Sequence, residues 1–352
     1  MQAAMFYAPQ DARIEETAHP QPAAGEIVVG IEVALTCGTD LKCYQRGHPV
    51  LLASLPSLFG HEFCGIVSAV GEGVSSLTIG DRVVAANSAP CGSCFYCANE
   101  QFTLCENLHL LNGAYAQFLK IPAPIVAKNT IKIPTTCPPE RAAFLEPVAV
   151  CLRAVRKLRV AFNGSLPKHV AILGIGPIGL ILGKLLTMSG VEVTGFGRNP
   201  KKIMLAHTFS KIQNLVPLPS ETEHFANWAK DIKTNYTPEG RGFDAVIEAA
   251  GQPFLWQASQ WLARKGGLLN FFGGCPAATT VGLDTFRLHY EEVRVQSLFH
   301  HTPQDVAEAA RLLGSGALEP QCLITHQLPL NDLKRAFELM QRGEALKVAI
   351  RP

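Results

Sequence analysis

Several things are missing from this 352-residue sequence, and each absence narrows what the chain can be. No apolar run approaches the roughly 20 residues that a bilayer-spanning helix needs, so no membrane span is expected. A dominant charge is missing too. Lys plus Arg number 31 against 29 Asp plus Glu, so no field points to nucleic acid or an acidic membrane, and small molecules are the expected partners. The opening Met1-Gln2-Ala3-Ala4-Met5 lacks the basic segment and apolar segment of a secretory signal, and a cytoplasmic location is expected. There is no tandem repeat and no low-complexity tract. Charged residues are scarce at 17% while hydrophobic ones reach 47%, which excludes intrinsic disorder and fits a well-buried globular protein. The length exceeds one ordinary core, and two domains are expected.

Cysteine, by contrast, is plentiful. Eleven thiols, an odd number, in a chain without a secretory signal read as metal ligands and buried small residues, not as disulfides. Four of them, Cys91, Cys94, Cys97 and Cys105, follow the spacing C-x2-C-x2-C-x7-C. Such a loop can turn four sulfurs toward one centre and close a tetrahedron around zinc. An accidental cluster, or a redox pair from one C-x-x-C, is the bland alternative, and the succession of short spacings argues against it. A closed site has no open position, so this metal is expected to hold a loop and do no chemistry. A second group is Cys37-Gly38-Thr39-Asp40 together with Gly60-His61-Glu62. Thiolate, imidazole and carboxylate are all metal-capable, and the Thr39 hydroxyl beside them can pass a proton, which marks a candidate catalytic metal site. The cysteines at 43, 64, 137, 151, 275 and 322 read as buried small residues. His300-His301 follows an apolar strand, but neighbours in a strand point to opposite faces, and neither is given a role.

Ile27–Leu35 is β-branched and partly alternating and reads as a strand; Val67–Val74 and Arg82–Ala86 are similar runs punctuated by Gly71, Gly73 and Gly80. Short strands with frequent glycine turns point to a compact all-β unit, a small barrel. Leu145-Glu146-Pro147 precedes Val148–Val155, whose apolar spacing predicts a helix after a proline at its first turn. Glu146, just ahead of that helix, reads by itself as a solvated residue or one that complements the helix dipole.

The composition changes at Val170-Ala171-Ile172-Leu173, a short apolar run suited to a buried parallel strand. Gly174-Ile175-Gly176-Pro177-Ile178-Gly179 follows, then the apolar helix Leu180–Leu186. This is G-x-G-x-x-G between a strand and a helix, the setting a dinucleotide fingerprint requires. The first glycine permits the tight turn, the second lets a pyrophosphate approach the backbone, and the third lets helix and strand pack. After the second strand, Glu192–Thr194, no acid stands where a ribose hydroxyl would be read; the residues include Arg198, Lys201 and Lys202. A guanidinium at Arg198, with Lys201 nearby, suits a 2′-phosphate that a carboxylate would repel, which favours NADP over NAD. The alternative leaves Arg198 and Lys201 in a solvated basic loop, with backbone groups holding an NAD ribose. Two later apolar runs, Phe243–Gly251 and Gly267–Phe272, end on glycines, so Ala250 and Gly273 are candidates for the nicotinamide side or plain strand-to-helix turns. Val293–Phe299 and Lys347–Ile350 read as strands, and Gln304–Gly314 and Leu330–Gln341 as helices.

Together these residues resemble the zinc-dependent medium-chain dehydrogenase/reductase (alcohol dehydrogenase) family, within its sorbitol (polyol) and threonine dehydrogenase group. The resemblance rests on Cys37-Gly-Thr39-Asp40, Gly60-His61-Glu62, the cysteines at 91, 94, 97 and 105, Leu145-Glu146-Pro147 and the three glycines at 174, 176 and 179, in that order along nearly the whole chain. It implies an α/β protein: a GroES-like β-rich catalytic domain, residues 1–148 and 288–352, interrupted by a Rossmann doubly wound parallel-sheet domain, residues 149–287. It also implies two zinc ions per chain. The catalytic one falls to Cys37, His61 and Glu62, with Glu146 either ligating it or holding its water; the structural one falls to Cys91, Cys94, Cys97 and Cys105. Thr39 matches the proton-relay position, and Asp40 would accept from His61 and fix its tautomer.

The implied reaction moves a hydride between a secondary alcohol, of the polyol, sugar alcohol or cyclitol kind, and a nicotinamide, giving a ketone. Carbonyl reduction or threonine-type amino-alcohol oxidation is the first alternative. A non-catalytic zinc- and nucleotide-binding regulator is the second, and the intact Cys37, Thr39, His61 and Glu62 argue against it. Homodimers or homotetramers are implied, with Val293–Phe299 as the place to look for the contact. The stretch Leu41–Pro49 matches neither sorbitol nor threonine dehydrogenases, so the choice of alcohol is expected to lie in that loop, with Lys42, Tyr44, Arg46 and His48 either in the pocket or on the surface.

Overall fold

A computed structural model of the chain describes residues 1–47, 52, 54–221 and 224–352, so His48 and Pro49 lie outside the described residues. The chain forms two units, Met1–Val150 with His301–Pro352, and Cys151–His300. The return to the first unit therefore comes later than the sequence reading placed it. The strand Arg294–Ser297 pairs in parallel with Ala263–Phe271, Leu268 opposite Arg294 and Phe271 opposite Ser297, and so completes the nucleotide-type sheet.

In the first unit, the main sheet of the described residues runs in the order Thr130–Lys132, Arg82–Ala85, Glu62–Val70, Ile27–Leu35, Lys347–Arg351, Ile324–Pro329. Ile27–Leu35 is its axis, with Val28, Val29, Val33, Ala34 and Leu35 all fully buried. Each such valine or leucine contributes roughly 1.5–3 kcal/mol by leaving water. The register places Leu35 opposite Glu62 on one side and opposite Ala349 on the other. Three strand ends thus meet where Ile27–Leu35 stops, just before Cys37.

The stretch expected to be a pocket-shaping loop is instead helical over Gly38–Arg46. Tyr44 is buried: its ring stacks on Phe337 with centroids 5.0 Å apart, and its hydroxyl donates to the Gln10 carbonyl at 3.1 Å. Lys42 and Arg46 are exposed. The strand expected at Val67–Val74 is Glu62–Val70, with Gly71 and Gly73 in the turn beyond it. The helix Leu145–Ala161 begins before Pro147, so Glu146 lies inside its first turn and not ahead of it. Proline is accommodated there because first-turn N–H groups have no helical acceptor.

The second unit carries six parallel strands among its described residues, in the order Asn214–Val216, Glu192–Phe196, His169–Leu173, Phe243–Glu248, Ala263–Phe271, Arg294–Ser297. Val170, Ala171, Ile172 and Leu173 are fully buried, as a strand covered on both faces must be. Strand order reverses between His169–Leu173 and Phe243–Glu248, and the crevice at the carboxyl ends of such strands is where this topology receives ligands. No helix of the described residues is long and apolar enough to cross a membrane.

Candidate active site

Cys37 ends the central strand's run and caps the helix Gly38–Arg46. Its sulfur accepts from the Thr39 N–H at 3.4 Å while Asp40 Oδ2 accepts from the Cys37 N–H at 3.0 Å. This is a reciprocal cap with cysteine in the position usually held by serine or threonine. It fixes the thiol in place and aims Asp40 at His61, whose Nδ1 lies 2.9 Å from Asp40 Oδ1. Assigning the donor hydrogen to Nδ1 leaves Nε2 as the ligating nitrogen. Tyr115, fully buried, donates its hydroxyl to Asp40 Oδ2 at 2.6 Å. Burial works to raise the Asp40 carboxyl, but His61, Tyr115 and the Cys37 N–H outweigh it and hold it below the usual range. Gly60 has φ +90°, and a Cβ there would stand 2.7 Å from the Tyr115 ring, so only glycine fits beside His61.

The ligand atoms of Cys37, His61 and Glu62 lie within 4.8 Å of one another. Glu62 is 1% exposed; one oxygen is ion-paired with Lys347, and the other, Oε1, is buried with no hydrogen-bond partner. A buried polar atom left unpaired costs about 1–3 kcal/mol. A zinc ion bound by the sulfur, the imidazole and the Glu62 carboxylate would remove that cost, so these residues fit the metal. Lys347, 3% exposed, also donates to the Thr36 carbonyl at 3.0 Å. Burial weakens its hold on the proton, yet the Glu62 charge prevails and raises it above the ordinary ammonium range. Thr39 is half-buried in the first turn of the same helix that Cys37 caps.

Glu146 is buried nearby but is not among the groups that converge with Cys37 and His61. Burial pushes its carboxyl up to about 7, with His61 pulling down and Glu62 pushing up. The carboxylate in the converging set is therefore that of Glu62. His301, unassigned from sequence, is buried with Nε2 3.0 Å from Asn87 Oδ1. Lys347 and Tyr115 were not found by sequence reasoning. Lys347 stands 285 residues from Glu62, and the one hint was a lone charge opening an apolar terminal strand.

Cys91, Cys94, Cys97 and Cys105 also converge within 4.8 Å. The Cys91–Cys97 and Cys94–Cys105 sulfur pairs are each 3.9 Å apart. Tetrahedral zinc with bonds near 2.3 Å spaces its sulfurs by about 3.8 Å, so the four fit a closed site. Backbone N–H groups point at the sulfurs: Cys91 to Cys105 at 3.2 Å, Gly92 to Cys97 at 3.4 Å, Ser93 to Cys91 at 3.4 Å. The Ser93 and Cys94 N–H groups pull the Cys91 thiol down to about 5. Lys128 secures the loop's entry by donating to the Cys91 carbonyl at 2.9 Å.

In the second unit, Gly174 has φ +103°, and a Cβ on it would press on Ala250 at 3.1 Å. Gly176 caps the helix Pro177–Met188, which Pro177 opens; the Ile178 carbonyl accepts from Cys151 at 3.7 Å. A Cβ on Gly179 would collide with the Gly174 carbonyl, so the helix start lies directly on the turn. A cavity of about 600 Å³ is lined by Gly174, Gly176, Arg198, Lys202, Glu221, Ala250 and their neighbours. The Arg198 guanidinium donates to the Leu218 and Pro219 carbonyls at 2.7 and 2.9 Å, which seats it in the cavity wall. Lys201 is exposed and outside that lining, and Lys202 takes the place the sequence reading gave it. Glu221 brings in an acid from a loop well beyond the end of the second strand. Gly273 packs on Gly251, beside Ala250.

The alcohol dehydrogenase GroES-like domain matches residues 23–135, and the zinc-binding dehydrogenase domain matches residues 177–315. The chain is 28% identical to an L-threonine 3-dehydrogenase of Bacillus velezensis, over 97% of this chain and 95% of that one. It is 28% identical to the erythritol/L-threitol dehydrogenase of Mycolicibacterium smegmatis, over 100% of this chain and 98% of that one. Among solved structures, a protein of Sinorhizobium meliloti described as a zinc-binding dehydrogenase and bound to NADP superposes with a TM-score of 0.87 at 28% identity, over 100% of this chain and 99% of that one. A GroES-like unit bearing two metal-capable groups, a parallel-sheet unit bearing a glycine cradle, and relatives aligned end to end agree: the chain belongs to the zinc-dependent medium-chain dehydrogenase family.

Proposed function

We propose that this chain is a dehydrogenase of secondary alcohols of the polyol kind, carrying one catalytic and one structural zinc and preferring NADP to NAD. The observation that carries the reaction is the convergence of Cys37, His61 and Glu62 with the unpartnered Glu62 oxygen, beside Thr39. Zinc held there supplies Lewis-acid polarisation of the substrate oxygen, and a nicotinamide supplies the hydride acceptor. The chain's own groups do the rest. Asp40 and Tyr115 hold the His61 ring so that Nε2 is presented. Lys347 neutralises the other Glu62 oxygen, Oε2. One thiolate and two carboxylates then balance a divalent cation plus Lys347, so the ligand set and its direct partners sum to neutral, and no net charge is buried. Thr39, next to the thiol, takes up the alcohol proton and passes it outward.

The polyol class is supported by the erythritol/L-threitol dehydrogenase relative. The threonine-type alternative is favoured by the L-threonine 3-dehydrogenase relative. NADP is supported by Arg198 and Lys202 in the cavity lining and by the NADP-bound structural neighbour; Glu221 pulls the other way. The test is a panel of polyols, cyclitols and amino alcohols with each cofactor. NADP reduction on a polyol is expected, and Arg198→Ala should raise the KM for NADP about tenfold while leaving NAD unchanged. No turnover on any alcohol while zinc and cofactor are bound would sink the reaction. A higher rate on L-threonine would move the substrate to the alternative, and a wild type preferring NAD would reverse the cofactor choice.

A further inference from the structure

Beneath the loops read as facing the nicotinamide lies a carboxylate that no step above uses. Glu248 ends the strand Phe243–Glu248 and is 0% exposed. Its Oε1 accepts from the N–H groups of Ala250 at 3.0 Å, Gly251 at 2.9 Å and Gln252 at 3.4 Å. Its Oε2 accepts from Gly251 at 3.0 Å and from the Trp256 indole at 3.2 Å. The same indole N–H reaches the Gly273 carbonyl at 3.1 Å, and the Trp256 ring stacks on Phe271 at 3.9 Å with planes 4° apart. Along the backbone, the Glu248 carbonyl accepts from Phe272 at 3.0 Å and Gly273 at 2.9 Å. One residue is therefore tied to both glycine loops, to Ala250–Gln252 by its carboxylate and to Phe272–Gly273 by its carbonyl. The fit is close. A Cβ on Gly273 would stand 2.7 Å from Glu248 Oε2, and one on Gly174 would stand 3.1 Å from the Cβ of Ala250, which lines the cavity.

An ordinary helix cap does not account for this. A cap places an oxygen on the N–H groups of the second or third helical residue. Here the backbone donors are Ala250, Gly251 and Gln252, all ahead of the helix Pro253–Leu262, and Gln252 itself makes no side-chain cap bond. The carboxylate shapes the loop, not the helix end. Every contact brings a donor, and an ionised carboxylate alone offers acceptors on both oxygens. A glutamine amide would turn its NH2 against N–H donors at one of the two positions.

We propose that Glu248 is a positioning residue for the nicotinamide: its carboxylate sets the course of Ala250–Gln252 and seats Gly273 against it, and the two loops together fix where the ring rests. The inference rests on the nicotinamide-cofactor reading above, and the test separates the two. Binding of NADPH and NADH is measured beside that of 2′-phospho-ADP-ribose and ADP-ribose, their counterparts lacking the nicotinamide, on the full zinc-loaded chain. Wild type that binds none of the four overturns the cofactor reading and this inference with it. Where wild type binds, Glu248→Gln is expected to weaken the preferred dinucleotide about tenfold and raise its KM in step, while its truncated counterpart stays within about twofold. Glu248→Asp, charged but one methylene shorter, should recover part of the loss. Equal weakening of dinucleotide and truncated ligand, or no weakening of the dinucleotide, overturns the inference while leaving the cofactor reading intact. Should the glutamine variant fail to fold, Trp256→Phe keeps the stacked ring and removes the bridging N–H. It should cost about threefold in dinucleotide affinity alone, and the same equal loss or absence of loss counts against the proposal.

Discussion

Among the described residues, the first unit holds two metal-capable groups built on opposite plans. The sulfurs of Cys91, Cys94, Cys97 and Cys105 come from one short loop and are served by backbone N–H groups of that loop. The Cys37, His61 and Glu62 group is assembled from two separate strand ends; its sulfur takes the Thr39 N–H, but its imidazole and carboxylate are met by side chains, Asp40 (itself held by Tyr115) and Lys347. Backbone donors suit a cluster whose ligands are all anionic sulfurs and whose coordination is complete. Side-chain partners are needed where ligands of three kinds must be held at different angles with a position left for substrate. On the proposed reading, stability falls to one plan and chemistry to the other.

The largest expected effect is a crossed loss. Cys37→Ala should lower kcat/KM by about a thousandfold or more with little change in melting temperature, because on the proposed reading it removes a ligand from the reacting metal. Cys94→Ser should do the reverse, lowering the melting temperature by roughly 5–10 °C while the molecules still folded keep most of their turnover. Thermal melts and steady-state rates on both variants decide it; matched losses in the two would erase the distinction. A smaller effect sharpens it. Tyr115→Phe keeps the buried ring and removes one donor to Asp40. Zinc affinity at the Cys37 site should fall about tenfold with the four-cysteine site untouched, as read by competition with a chromophoric chelator. Unchanged affinity would show that the Asp40–His61 pair is oriented without the tyrosine.

The same contrast explains what was legible in the sequence. The four-cysteine loop is written in local spacing, and so is the strand, glycine turn and helix around Gly174; both need only neighbours in the chain. Cys37, Thr39, His61 and Glu62 could be picked out because two short motifs carry them. Lys347 could not, since only the pairing of Ala349 with Leu35 brings it to Glu62. Glu221 and Glu248 escaped for similar reasons: one arrives from a later loop, and the other sits inside an apolar run that reads as plain strand. Helix starts were displaced where a proline marked a first turn without marking its first residue, as at Leu145. Tyr44 fits neither reading left open for it, pocket or surface, because the stack on Phe337 commits its ring to the core.

The most direct test of the central claim is to follow metal content and alcohol oxidation together during dialysis against a chelator. The account predicts two zinc ions per chain at the start. The first should leave with all of the activity and restore it on readdition, and the second should leave only as the fold is lost. Activity that survives departure of the first ion, or two ions that leave in a single step, would contradict it.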